Sequence, residues 1–327
     1  MNHRMMAAAS FACAMLAASS AVALSGSVYN VPPDAIPATL VPGDVLNYDP
    51  QAILYDFLPP PPVGATVNLY SGAIDFASTV QGTVHLSGGA LSTVNLTMGA
   101  NVTISDGSYA STLVIQDSAL EIVDGRIFEL YATDSIVNFK GGTINLLEDL
   151  RGSQFNMTGG VVEFQLGSPL VNGEMNVSGG IVGDIQLSTG TFLNLSGGQI
   201  GVGPGQSFFI AHPGSTVHLY AQHAAIDGMP IPGLSPGATT TVDVTGLVGQ
   251  LTGTLSDGSP FLFDLGPTAG TGSYPNDPII ITTPYPSMPA QRIEVLVTTV
   301  PEPCTGILAA AGLAALVLRA SVRRCRG

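Results

Sequence analysis

The sequence predicts an all-β protein whose repeat region is a parallel β-helix, also called a β-solenoid. A short pattern of apolar, polar and apolar residues followed by a closing glycine recurs eight times between residues 67 and 198. The closing glycines are 17 to 20 residues apart, and units this small must stack on one another to bury an apolar face. Trp is absent, 40 residues are glycine and long amphipathic helical patterns are missing, which is typical of all-β proteins.

Each repeat unit predicts one coil with two short strands. Alternation in segments such as Val67-Asn68-Leu69 marks the first strand, with its middle residue pointing outward. The closing glycine supplies a turn with positive φ. Residues 64–225 are therefore predicted to form about eight coils. The apolar pair within a coil, such as Leu195 and Ile200, is spaced by five residues, which favours a right-handed coil over the left-handed hexapeptide form.

The segments on either side of the repeats differ from them in composition. Residues 24–63 contain Pro32-Pro33 and the run 59–62, all proline, so they predict an extended leader that ends in an N-terminal cap. Residues 226–299 predict a β-rich C-terminal cap and stalk. Within it, residues 251–255 and 261–265 predict a hairpin around the turn 256–259, which would cover the open end of the solenoid.

The first 23 residues predict a secretory signal peptide. Arg4 precedes an apolar, alanine-rich stretch, and Ala21 and Ala23 are the small residues at which a signal peptidase cleaves. The protein is therefore expected to be exported. The three cysteines lie in this segment or near the C-terminus, so we expect the mature ectodomain to be stable without disulfides.

The last 28 residues, 300–327, combine a short motif, an apolar run and a cluster of arginines. The apolar run from Cys304 to Leu318 has 15 residues and predicts a short membrane helix, below the roughly 20 residues of a stable span. The arginines beyond it are expected to stay on the cytoplasmic side. The motif residues are Val300, Pro301, Glu302 and Pro303, and the arginines are Arg319, Arg323, Arg324 and Arg326.

This order of motif, apolar helix and terminal arginines resembles the PEP-CTERM sorting signal of exported bacterial proteins. The resemblance implies that an exosortase, a membrane sorting enzyme, recognises the tail. It further implies that the chain is anchored transiently in the inner membrane of a Gram-negative-type bacterium. The protein would then be released or transferred to the cell surface or the extracellular matrix.

The predicted ectodomain is strongly acidic. Residues 24–300 contain 22 acidic residues and only 4 basic ones, Arg126, Lys140, Arg151 and Arg292, a balance of −18. Such a surface repels phosphate backbones and anionic lipids, so nucleic acid is excluded as a partner. Divalent cations and neutral glycans fit this charge better.

One outward column of the first strands predicts a polar ladder. It contains Asn138, Asn156, Asn176 and Asn194, whose amides would either hydrogen-bond the hydroxyls of a glycan or pair with each other. Asp106 and Asp124 occupy equivalent turns and, with Asp117 or Asp134, would hold Ca²⁺, although Asp-Gly is also ordinary turn chemistry. No other metal site or cofactor is predicted.

These features predict a non-catalytic structural protein of the cell surface or matrix, associated with exopolysaccharide or biofilm. The first alternative is an adhesin that binds cell-surface glycans through the polar ladder. The second is a polysaccharide lyase or hydrolase of the β-helix type. We do not predict an enzyme, because basic residues are scarce and the clustered carboxylates or proton-abstracting base that such enzymes need are not evident.

Overall fold

The computed structural model describes thirteen stretches of the chain: 26–32, 34–49, 55–76, 79–164, 172–183, 185–187, 190–200, 209–211, 215–234, 239–243, 249–267, 280–283 and 294–299. The predicted signal peptide with Ala21 and Ala23, and the predicted sorting signal at 300–327, lie outside these residues. The regular elements in the described stretches are strands. None of these stretches contains a helix that is long and apolar enough to cross a membrane.

The strands are short and follow one another closely along the chain. The first half contains β1 (Val28–Val31), β2 (Val45–Tyr48), β3 (Tyr55–Leu58), β4 (Thr66–Leu69), β5 (Ala73–Phe76), β6 (Thr83–Ser87), β7 (Ala90–Leu96), β8 (Asn101–Ser105), β9 (Tyr109–Gln116), β10 (Ala119–Ile122), β11 (Arg126–Thr133), β12 (Ile136–Phe139) and β13 (Thr143–Arg151). The second half contains β14 (Gln154–Met157), β15 (Val161–Phe164), β16 (Glu174–Val182), β17 (Ile185–Leu187), β18 (Phe192–Ile200), β19 (Phe209–Ala211), β20 (Thr216–Ile226), β21 (Met229–Pro230), β22 (Thr239–Asp243), β23 (Gly249–Leu255), β24 (Pro260–Pro267), β25 (Ile280–Thr283) and β26 (Glu294–Thr299).

Two parallel ladders run the length of the stack. The first ladder joins β1, β2, β4, β6, β8, β10, β12, β14, β16, β18 and β20, each to the next. The second joins β3, β5, β7, β9, β11, β13 and β15 and continues into the later halves of β16 and β18. The predicted parallel β-solenoid of about eight turns is therefore confirmed.

The core lies between the two ladders and follows the predicted alternation. In β4, Val67 and Leu69 are fully buried while Asn68 between them is partly exposed. The same order holds in the later coils, where the tilted rings of Phe139 and Phe155 have a centroid distance of 6.1 Å. Because each coil buries only a few side chains, the apolar surface is buried mainly against the coils above and below.

The turn after each first strand is a column of glycines. Seven of the eight predicted closing glycines have positive φ, and in the remaining coil Gly88 adopts it instead of Gly89. Gly180 (φ +87°) illustrates the need, because a Cβ there would lie 2.7 Å from the carbonyl oxygen of Gly160. Only glycine fits a backbone stacked this closely.

The corners before β10, β12 and β14 contain a buried hydroxyl ladder that the repeat pattern did not predict. The backbone N–H of Ser118 donates to Ser135 Oγ at 3.2 Å, and that of Ser135 donates to Ser153 Oγ at 3.1 Å. The hydroxyls of Ser118 and Ser135 donate in turn to backbone carbonyls two residues earlier, each at 2.7 Å. All three serines are buried, and these bonds remove most of the cost of burying them.

Aspartates accept backbone hydrogen bonds beside the first strand and in the hairpin that follows β20. At β1, the N–H of Asn30 donates to Asp34 Oδ2 at 2.7 Å, and the N–H of Asp34 donates to the carbonyl of Asn30 at 2.8 Å. At the other end, the predicted hairpin is present as β23 and β24, and β23 pairs with the later half of β20. In its turn, Asp257 Oδ2 accepts from the N–H of Gly198 at 3.0 Å.

Candidate functional site: the outward face of the first ladder

The predicted polar column is continuous in the structure and longer than predicted. The strand register places eleven residues in one outward line, the predicted Asn138, Asn156, Asn176 and Asn194 among them. These polar residues are Asn30, Asn47, Asn68, His85, Thr103, Glu121, Asn138, Asn156, Asn176, Asn194 and His218. The parallel strand β26 follows β20 and places Leu296 next to His218 in register. Asn30 and Asn47 were missed because no closing glycine follows their strands at the repeat position.

The asparagines of this column hydrogen-bond to one another. The Nδ2 of Asn156 donates to Asn138 Oδ1 at 3.0 Å, that of Asn176 to Asn156 Oδ1 at 3.0 Å, and that of Asn194 to Asn176 Oδ1 at 2.7 Å. Asn47 and Asn68 form a second run with Asn30, with two bonds of 2.8 Å. The amides therefore hold neighbouring coils together, and aligned bonds of this kind strengthen each other.

The amide ladder from Asn138 to Asn194 has a direction and a definite end. Every amide donates toward the N-terminal coil, so the last residue, Asn194, presents its carbonyl oxygen. Its second N–H is also used, because Nδ2 donates to Glu174 Oε1 at 2.9 Å as well. No donor to Asn194 Oδ1 occurs in the part of the chain that the structure describes.

A further outward column flanks the ladder on one side. It contains Glu174, Phe192 and Thr216 in register. On the other side the register shifts after Val177, and Ser178 pairs with Gly197. Within β20, the rings of His218 and Tyr220 stack at a centroid distance of 4.2 Å. Burial lowers the pKa of His218, so the imidazole is mainly neutral at pH 7.

The three basic side chains of the repeat region each have an acceptor. Lys140 pairs with the carboxylate of Glu121, and Arg151 with Asp149 Oδ2 at 3.4 Å. Arg126 Nε donates to Asn145 Oδ1 at 2.7 Å, and Asn145 donates onward to Glu163. These contacts leave none of the three as an isolated base.

Glu148 and Tyr131, on neighbouring strands of the second ladder, both have raised pKa values. Burial, followed by the charge of Glu129, raises the pKa of Glu148. Burial and the same two glutamates raise the pKa of the Tyr131 hydroxyl. Both side chains are half-buried, and repulsion between like charges in an acidic region accounts for the second cause.

The aspartates considered for Ca²⁺ are divided between two corners of the coil. Asp106 and Asp124 follow the first strands, whereas Asp117 and Asp134 precede them, so a four-residue strand of about 13 Å separates the pairs. Asp124 Oδ1 accepts from the N–H of Gly125 at 2.7 Å, as in an ordinary turn. In the described stretches no group of three or more His, Cys, Asp or Glu side chains is arranged to hold a metal ion.

Comparison with known proteins gives no match: no family model, no curated protein and no solved structure is similar to this chain. The function of the protein is therefore inferred from the geometry of the two ladders and from the terminal sequence motifs.

Proposed function

We propose that this protein is a non-catalytic structural component of the cell surface or extracellular matrix, exported by a Gram-negative-type bacterium and associated with exopolysaccharide. The observation that carries the proposal is the amide ladder, in which outward polar side chains bond coil to coil. Such a face contributes stiffness to the stack, whereas catalysis requires groups that are free to contact a substrate.

The dimensions of the stack fit this role. From β1 to β20 the first ladder is about 50 Å tall at about 4.8 Å per strand. Every step adds parallel backbone bonds, and the asparagine runs add side-chain bonds to five of the ten steps. A rod of this kind resists bending and local opening.

The same proposal includes the handedness of the coil, the C-terminal cap and the membrane helix. The coil is right-handed, as the five-residue spacing of the apolar pairs favours. The β23–β24 hairpin acts as the C-terminal cap, an assignment supported by Leu251, Leu255, Phe261 and Phe263, which are all buried. Residues 304–318 form the short membrane helix that anchors the chain before sorting.

The sorting route depends on the two termini. The signal peptide directs export and is cleaved after Ala23, and an exosortase then recognises Val300, Pro301, Glu302 and Pro303. The arginines from Arg319 onward hold the end of the chain in the cytoplasm until that step. No cofactor and no nucleic-acid partner is part of this function.

Of the two alternatives, glycan binding has a specific observation in its favour, which is the set of aromatic rings at the end of the ladder. A polysaccharide lyase or hydrolase has none, because Arg126, Lys140 and Arg151 are all engaged by acceptors. The protein is therefore proposed to contact polysaccharide without cleaving it.

Cell fractionation tests the proposal. The full chain is expressed in a host with an exosortase and in an isogenic host without one, alongside a variant with all four tail arginines replaced by glutamine. We expect surface or matrix location only for the unmodified chain in the exosortase host. The same location in both hosts would contradict the sorting route, and a cytoplasmic location in both would contradict export.

A further inference from the structure

Three aromatic side chains lie on the adjacent strands β18 and β20. Phe192 on β18 is 52% exposed. On the adjacent strand β20, His218 and Tyr220 stack on each other at 4.2 Å. The register Phe192 to Thr216 and Asn194 to His218 places all three rings on the same outward surface. Apolar ring surface is thus concentrated on a sheet face that is otherwise mainly polar.

Hydrogen-bonding groups beside these rings are held in fixed positions. Asn194 Nδ2 donates to Asn176 Oδ1 at 2.7 Å and to Glu174 Oε1 at 2.9 Å. Both amide hydrogens are therefore used, which fixes the direction of Asn194 Oδ1. Glu174 is paired in register with Phe192, so its carboxylate lies one strand away from the ring. The result is a pair of oriented oxygen acceptors next to an exposed aromatic surface.

We infer that this aromatic patch, consisting of Glu174, Phe192, Asn194, His218 and Tyr220, is a binding site for a neutral polysaccharide chain. A sugar ring offers an apolar C–H face that packs on an aromatic ring, and hydroxyl groups that donate to carboxylate and amide oxygens. The patch supplies both kinds of contact side by side. The inference rests on the proposed function, because it names the matrix partner of the same outward face.

The charge of the protein selects among polysaccharides. Between residues 24 and 300 the chain has 22 acidic and 4 basic residues, and the patch itself contains the carboxylate of Glu174. An anionic polysaccharide would be repelled by this field, whereas a neutral one would not. Lys140, the basic residue on the same face, already pairs with Glu121.

The patch also needs little rearrangement to bind. The His218 and Tyr220 rings are immobilised by their own contact, and Asn194 is fixed by two bonds. Side chains ordered before binding lose less conformational entropy when the ligand arrives. Toward the N-terminal end, Thr158 and Ser178 continue the same face with hydroxyl groups, so an extended chain can lie along several coils.

Affinity electrophoresis tests the inference with the full-length chain in mild detergent. The gels contain a neutral polysaccharide (dextran, a β-1,3-glucan or a galactomannan) or an anionic one (alginate). We expect retardation by at least one neutral polysaccharide and none by alginate. Phe192→Ala should weaken that binding at least tenfold, Tyr220→Ala should weaken it as well, and Phe192→Tyr should retain it.

Tyr70→Ala is the matched control, because Tyr70 is 49% exposed on the same face but lies near the N-terminal end. It should bind as the unmodified chain does, and all variants should keep the same circular dichroism spectrum. Retardation by no neutral polysaccharide, equal binding by Phe192→Ala, or retardation by alginate would each overturn the inference. Dimerisation that Phe192→Ala abolishes, seen by sedimentation, would assign the patch to a second copy instead. Correct surface location without polysaccharide binding would overturn the inference and leave only the export, sorting and structural role of the proposed function.

Discussion

At the scale of single residues, the fold depends on positions where a side chain would collide with the neighbouring coil. A Cβ on Gly180 would lie 2.7 Å from the carbonyl oxygen of Gly160 and 2.5 Å from Met157 Cε. Gly107 has a similar φ of +71°, yet a Cβ there would have nothing within 4 Å. Substitutions at these two glycines therefore distinguish the cost of backbone strain from the cost of steric overlap.

We expect Gly107→Ala to lower the free energy of unfolding by about 1–2 kcal/mol, because an L side chain is strained at positive φ. Gly180→Ala should cost about 1–3 kcal/mol more, since overlap with the adjacent coil adds to the strain. Urea unfolding of both variants measures the difference. Equal losses would mean that the coils are not stacked as closely as the glycine column requires.

The sequence predicts individual positions correctly where one residue type has one physical role. Alternation identified buried residues such as Leu195, and the repeat identified the turn glycines. The buried serines were missed because their role depends on a bond between coils that no local pattern displays. Their signal was nonetheless present: Ser118, Ser135 and Ser153 each follow an Asp or Gly and lie just before a first strand.

At the scale of structural elements, the amide ladder connects strands that are 18 to 20 residues apart in the chain. Asn156 both donates to Asn138 and accepts from Asn176. The sequence located this column but left open whether its amides serve a ligand or one another. In the structure the amides bond to one another. The distances between coils that allow these bonds are not given by the sequence alone.

Asn156→Asp should destabilise the protein by about 1–3 kcal/mol at neutral pH, because the carboxylate cannot donate to Asn138 Oδ1 and is repelled by it. Lowering the pH through the pKa of the new carboxyl group protonates it and restores a donor. The stability gap to the unmodified chain should therefore narrow in acid. Thermal melting at several pH values measures this stability difference. Asn95→Asp is the control, because Asn95 is exposed and lies outside the ladder. It is expected to change the free energy of unfolding by less than about 0.5 kcal/mol. A gap that is independent of pH would contradict the ladder.

The hairpin at the C-terminal end depends on the ionised form of Asp257. Burial by itself acts to raise the pKa of Asp257, but hydrogen bonds from Ser259 and from the N–H of Gly198 outweigh it and lower the pKa. A lowered pKa means that this carboxylate stabilises the fold above its ordinary value of 3.8. The contribution is lost as the pH falls further, through the pKa of the folded state.

Asp257→Asn should therefore loosen the hairpin at neutral pH, and its difference from the unmodified chain should shrink below about pH 3.8. Hydrogen exchange of β23 and β24, read against that of β12, measures the effect. Asp106→Asn is the control, since Asp106 lies in an exposed turn and accepts a weak hydrogen bond from the Ser105 hydroxyl at 3.2 Å. Faster exchange in the control than in Asp257→Asn would contradict the assigned contact.

The element boundaries show a second limit of sequence reasoning. The prediction began the repeats at residue 64, yet β1 and β2 already lie in register with β4. Their strands have the apolar and polar alternation but lack the closing glycine at the repeat position. Proline-rich surroundings concealed them, because prolines 59–62 indicated a linker.

At the scale of the whole molecule, the proposed protein is an acidic rod of stacked coils with an export signal at one terminus and a sorting signal at the other. The rod is described by its strand register and core, whereas the signals depend on residues 1–23 and 300–327, outside the described stretches. The parallel solenoid was predictable because a regular repeat has few ways to bury its apolar face. Location and partners depend on recognition by other proteins, which the fold alone does not determine.

Export of this rod and its sorting to the surface are tested by mass analysis of both termini. The protein is recovered from the surface and matrix fraction of an exosortase-containing host, and its intact mass and terminal peptides are measured. We predict an N-terminus at Leu24 and a C-terminus upstream of Arg319, with the tail arginines absent. A surface protein that retains Met1 and all residues to Gly327, in this host and in one lacking the exosortase alike, would contradict this route of export and sorting.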